Sequence, residues 1–159
     1  MRHTSIILAM LLTLLMGACD TVDCTLNNNV LCYIGFYDGH GKNVALTDTL
    51  SIMAYGTDEI LFNRGVGKSR VAVPMSFYNE EDTFIVRVWG PDYDTQAEIS
   101  LGKTNTEYFE SIDCPVKMMH NLTNAYVNSG NIIDSVVIVK PSVNFQQDEN
   151  IRIYFHSEE

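Results

Sequence analysis

From residue 31 onward apolar and polar side chains alternate with a period of two, and no stretch repeats convincingly at helical spacing, so the pattern predicts strands. Leu31 to Tyr37 reads as a strand, Asp38 to Lys42 as a turn, and Val44 to Leu46 as the return. Leu50, Ile52 and Ala54 alternate with Ser51, Met53 and Tyr55 up to Gly56. Arg70 to Tyr78 continues around Pro74, which cannot donate a ladder hydrogen bond and so predicts an edge or a bulge. Thr83 to Trp89 is the strongest strand, with Phe84, Val86 and Val88 on one face. Ala97, Ile99 and Leu101 repeat the alternation until Gly102 stops it, and Glu107 to Ile112 leads to Cys114. Val116 to Val127 fits a strand or a short helix. Ile132 to Lys140 has the continuous apolar character of a central strand, and Val143 to Phe145 with Ile151 to Phe155 predict a closing hairpin.

Eight or nine short strands in one domain predict an all-β fold: a single antiparallel β-sandwich, with an Ig-like architecture as one candidate and a barrel as the runner-up. The chain before it has a different pattern. Arg2 and His3 precede an apolar run from Ile6 to Met16, then Gly17, Ala18 and Cys19. The run is too short for a spanning helix, which needs roughly 20 apolar residues, and reads as a secretory leader. Leu15 to Cys19 looks like the lipobox of bacterial lipoproteins, with Met16 where Leu is commoner. The predicted organisation is therefore a lipoprotein signal peptide over 1–18, a lipidated Cys19 with a short tether over 19–29, and a β-sandwich domain over 30–159. Acyl chains on Cys19 would hold the protein on a membrane, since each buried methylene adds about 0.8 kcal/mol.

Charge narrows the partners. Ten Lys and Arg face twenty Asp and Glu, a formal net charge of −10. The basic residues are scattered, and only Arg64, Lys68 and Arg70 lie close together, so nucleic acid is not an expected partner. Behind Cys19 stand Cys24, Cys32 and Cys114, with no Cys-x-x-Cys pair to suggest a metal. Export permits one disulfide and leaves one thiol over, and spacing leaves all three pairings open.

No candidate chemistry rises clearly above its bland alternative. Asp92, Asp94 and Glu98 resemble part of a calcium loop without its central glycine, and read as a solvated acidic turn. Glu80, Glu81 and Asp82 read as a charged hairpin tip. His40, His120 and His156 come from distant segments, and Ser76, Ser100 and Ser135 fall within strand patterns, where a hydroxyl is poorly placed for attack. No metal, cofactor or catalytic set is predicted. Tyr33, Tyr37, Tyr55, Tyr78, Trp89, Tyr93, Tyr108 and Tyr126 could supply a sugar-stacking surface, but most are expected to pack in the core or on a sheet face.

Several segments taken together resemble a family of uncharacterised Bacteroidota-type lipoproteins that carry a domain of unknown function. They are Asp23, Cys24, Leu26 and Asn27; Asp48 to Leu50; Leu61 to Gly65; Phe109 to Cys114; His120; Ile133 to Ser135; and Val143 to Phe145. The resemblance spans nearly the whole chain behind Cys19. It implies a lipidated envelope protein, favours a disulfide between Cys24 and Cys114, leaves Cys32 outside the pattern, and transfers no activity. Proteins of such bacteria are often O-glycosylated at Asp followed by Ser or Thr and an apolar residue, which makes Thr21, Thr49 and Ser135 candidates.

The expectation is a noncatalytic cell-envelope lipoprotein, at the outer membrane, acting as a binding or assembly module. It would meet the membrane through the acyl chains on Cys19 and an envelope protein or glycan through its domain. The alternatives are a surface carbohydrate-binding lipoprotein, marked by Trp89 and Tyr93 exposed and coplanar at one end, and an envelope hydrolase, marked by a polar cleft around His120 or His156.

Overall fold

The computed structural model describes Cys24 and residues 29–156. Cys19 and Thr21 lie outside the described residues. Ten strands follow in chain order: β1 (Leu31–Tyr37), β2 (Thr49–Ala54), β3 (Ile60–Gly65), β4 (Arg70–Pro74), β5 (Glu81–Trp89), β6 (Asp94–Tyr108), β7 (Lys117–Ser129), β8 (Ile133–Ile138), β9 (Ser142–Val143) and β10 (Ile151–Phe155). They form a two-layer all-β sandwich. One sheet runs β4-β1-β10-β8 and the other β3-β2-β5-β6-β7-β9.

Alternation builds the core. Phe84, Val86 and Val88 of β5 and Ala97, Ile99 and Leu101 of β6 face inward against Cys32, Ile34 and Phe36 of β1 and Ile151 and Ile153 of β10. Each fully buried branched side chain contributes about 1.5–3 kcal/mol by leaving water. Pro74 sits at the end of β4 on an open sheet edge, where its missing N–H costs no ladder bond. Gly130 closes the β7–β8 turn at φ +97°, and a Cβ there would come within 2.6 Å of the Ala97 backbone, so no other residue fits.

Several elements differ from the sequence reading. Gly102 does not end β6, which runs on to Tyr108. A register shift falls between Gly102 and Lys103, so this glycine marks a bulge rather than a stop. Residues 116–127 lie almost wholly in β7, with no helical turn. Most of Glu107 to Ile112 is loop. Val44 to Leu46 makes only isolated bridges, Tyr37 to Asn43 and Leu46 to Lys68. β3 emerges as an edge strand that the broken alternation at Asn63 and Arg64 hid. There Arg64 adopts φ 48° and its N–H donates to the Ser51 hydroxyl at 3.0 Å across a register shift.

The closing hairpin does not form. β9 pairs with β7 in the larger sheet, while β10 crosses to the smaller one and lies parallel to β1, the sole parallel pair among the described strands. Buried Asn150 fixes that crossing. Its amide donates to the carbonyls of Lys140 and Ser142, both at 3.0 Å, and its side-chain oxygen accepts the Tyr33 N–H at 2.9 Å. β8 is an edge strand with β10 as its ladder partner, so Val137, expected to be buried in a central strand, is half exposed.

Candidate functional site

One end of the sandwich gathers most of the chemistry. There β1 begins, β4, β2 and β6 end, and β5 and β7 begin, joined by the loops 75–80 and 109–116. Alternation carries three ionisable residues inward at this end. Asp82 shares the core face of β5 with Phe84 and Val86, Lys103 that of β6 with Ile99 and Leu101, and His120 that of β7 with Met118 and Leu122. All three are buried.

Lys103 organises them. Its ammonium donates to the Ser76 carbonyl at 2.9 Å, to the Ser76 hydroxyl at 3.2 Å, to the Asn105 side-chain oxygen at 3.0 Å and to the Asn79 carbonyl, with Asp82 Oδ2 at 3.6 Å. Asp82 accepts from the Ser76 N–H at 3.0 Å and from the Ser76 hydroxyl. His120 Nδ1 pairs with the Asn105 oxygen at 2.8 Å. Every buried side-chain nitrogen and oxygen among the described residues has a partner.

Burial pulls the Lys103 ammonium below its ordinary range, and Asp82 pulls it back. Burial, reinforced by the positive charge of Lys103, pushes His120 down to about 4, against the opposing pull of Asp82. Burial and then Asp82 push the Cys32 thiol up to about 12.

Two open clefts flank this network. One, about 400 Å³, is lined by Tyr55, Glu59, Ser76, Asn79 and Asp82. The other, about 620 Å³, runs past Cys24, Val30, Phe77, Val116, Lys117 and His120. Ser76 lies in a loop rather than in a strand, and its hydroxyl beside Lys103 has the spacing of a nucleophile and its base. An amine acts as a base only after losing a proton, and the Lys103 ammonium is engaged by two backbone carbonyls and an amide oxygen, with the Asp82 carboxylate 3.6 Å away. The arrangement clamps the 75–80 loop to β6. Glu80, Glu81 and Asp82 are accordingly not a hairpin tip, since Asp82 is a buried ion-pair partner and Glu81 begins β5, where it accepts from the Tyr126 hydroxyl at 2.7 Å.

The remaining predicted residues are dispersed. Cys24 is joined to Cys114, and Cys32 is a free, buried thiol. His40 lies in the 38–42 turn and His156 pairs with Asp134 at 3.9 Å, both away from His120. Asp94 is held in two hydrogen bonds by the Arg87 guanidinium, which lowers its carboxyl pKa. Glu98 sits four residues further along the same strand, about 13 Å away at strand spacing, too far to share a cation. Trp89 and Tyr93 line separate depressions, Trp89 with Ser51, Asn63, Arg64 and Arg87, and Tyr93 with Asp48 and His156. The tyrosines form no common shelf: Tyr33 packs under Arg70, Tyr37 against Tyr154 and Arg152, and Tyr108 against Phe145. Thr49 lies in β2 and Ser135 in edge strand β8, each half-buried.

Lys103 and Asp82 were the residues sequence reasoning missed. The signal was present, because continuing the alternation through Gly102 puts Lys103 inward, and extending it back from Phe84 does the same for Asp82.

A family model for a family of unknown function, DUF6452, matches residues 49–155. The chain belongs to this family. The match takes in β2 to β10 and the whole of the Asp82, Lys103 and His120 network, and leaves out β1 and Cys24. No curated protein and no solved structure matches the chain.

Proposed function

We propose that this member of DUF6452 is a noncatalytic lipoprotein of the Bacteroidota-type cell envelope, anchored in the outer membrane through acyl chains on Cys19, whose sandwich is a binding or assembly module. The observation that carries the reading is the leader itself: a charged start, an apolar run too short to span, and small residues directly before Cys19. The network supports the noncatalytic part, since Lys103, Asp82 and His120 are taken up by one another, by Ser76 and Asn105 and by backbone carbonyls.

Intact mass spectrometry of the chain purified from its native envelope tests the anchor. The expected result is a chain beginning at Cys19 with acyl mass added, and loss of membrane fractionation in Cys19→Ala. An unmodified, soluble chain overturns it. Any further mass in hexose steps would assign glycans, with Thr21 the candidate best removed from the strands. Crosslinking and capture of the acylated protein tests the module, with a stoichiometric envelope partner as the expected outcome.

A second reading, carbohydrate binding, rests on half-buried Trp89, whose ring carries the Arg87 guanidinium at 5.3 Å in a depression shared with Asn63 and Arg64. Glycan binding lost in Trp89→Ala would favour it.

A further inference from the structure

The end of the sandwich that holds the buried network is also greasy on its outside. Phe77 (46% exposed), Tyr78 (79%), Phe109 (61%), Ile112 (98%) and Val116 (37%) project from the loops 75–80 and 109–116, with Tyr55 (57%) beside them at the end of β2. Phe77 and Val116 line one cleft together with Cys24, and the Phe77 and Tyr78 rings lie 6.0 Å apart. Large apolar side chains so exposed and so concentrated mark an interaction surface.

The chain outside the described residues says what covers it. The disulfide to Cys114 pins Cys24 within the 109–116 loop region. Five residue steps separate Cys24 from Cys19, and a fully extended chain covers at most about 18 Å in five steps. β6, by contrast, runs 15 residues from the opposite end of the sandwich to this one, about 50 Å at strand spacing. An acyl chain on Cys19 therefore keeps this end, with the loops 75–80 and 109–116, close to a bilayer. The turn between β5 and β6 lies at the opposite end.

We propose that this end docks on the lipid surface itself, with Ile112 and Phe109 at the tip of one loop and Phe77 and Tyr78 on the other reaching the headgroup and upper acyl region. The inference rests on the lipid anchor at Cys19 and adds the orientation of the domain and the surface that meets the membrane. Aromatic and branched side chains suit that boundary, where an apolar body is buried and a polar edge stays wet. Glu80 and Asp113 flank the same loops, both exposed, in a chain of net charge −10, so the surface fits zwitterionic headgroups and is repelled by anionic ones. The Trp89 depression is left facing the aqueous compartment, where a partner can reach it.

Trp89, at the far end of β5, provides a built-in reference, since it is the chain's single tryptophan. The product of the full-length gene is purified from membranes and reconstituted in phosphatidylcholine vesicles with and without brominated acyl chains. Should mass spectrometry find no acyl group on Cys19, its thiol is coupled to a maleimide lipid, which keeps orientation testable even if natural lipidation fails. Trp89 emission should be unaffected by bromine, whereas the emission added by Ile112→Trp, or by Phe109→Trp as a second variant, should be mostly quenched. Admixed phosphatidylglycerol should lessen that quenching. Unquenched tryptophan at both 112 and 109, or quenching of Trp89 to the same extent, overturns the proposal. So does a soluble dimer of the unanchored chain that Ile112→Glu abolishes, which would assign this end to a second copy.

Discussion

His120 is neutral in the folded protein because burial and the neighbouring Lys103 ammonium both disfavour a second proton on its ring. Its folded pKa of about 4 lies below the ordinary 6.5, so between those values the unfolded chain takes up a proton that the folded one refuses. Stability contributed by neutral His120 is thus complete above about pH 6.5 and lost as pH falls toward 4, by up to about 3 kcal/mol. Denaturant midpoints measured from pH 7 to 4 should fall in the wild type and fall less in His120→Gln, whose amide can still donate to Asn105. Equal slopes would show that His120 is not the titrating group. Cys32, at the same end of the core, is a packing residue: wholly buried, with a thiol pushed up to about 12, it lacks the thiolate that reactivity requires.

Between elements, the Lys103–Asp82 pair ties β5, β6 and the 75–80 loop together. A buried pair gains little over apolar residues of matching shape, but removing one partner strands the other charge in the core. Lys103→Met should therefore cost about 3–5 kcal/mol. Lys103→Met combined with Asp82→Leu should cost clearly less than the sum of the single changes. Urea titrations of the four proteins give the coupling directly, and strict additivity would mean the charges do not meet. The position of both residues was legible, because period-two alternation places residues 82 and 103 on the core side of their strands. What hid them was chemistry: a charge is expected outside, and only two opposite charges on adjacent strands, with carbonyls and Asn105 to fill the remaining valences, make the inside tolerable.

At the scale of the whole molecule, the Cys24–Cys114 bridge spans 90 residues of sequence. Loop-closure entropy alone assigns such a crosslink about 4 to 5 kcal/mol through the unfolded chain. Cys24→Ser, Cys114→Ser and the double variant should lower the thermal midpoint by the same amount, with no further drop on adding reductant. Larger loss in the double variant would mean that the two sulfurs act separately. On the proposed anchoring at Cys19, removing the bridge should loosen the orientation of the sandwich on vesicles as well as lower its stability.

The sequence by itself determined that this chain is built of strands, that Phe84, Val86 and Val88 share one face of β5, and that Pro74 belongs at an edge or a bulge, since these follow from local sterics and a period of two. Tertiary structure decided which strands are neighbours. Alternation is the same for a hairpin and for two strands that part company, so it could not show that β9 stays with β7 while β10 crosses to lie parallel to β1. That choice is made where distant groups must be satisfied together: the Asn150 amide needs Lys140, Ser142 and Tyr33 at once, and Lys103 needs Asp82, Ser76, Asn79 and Asn105.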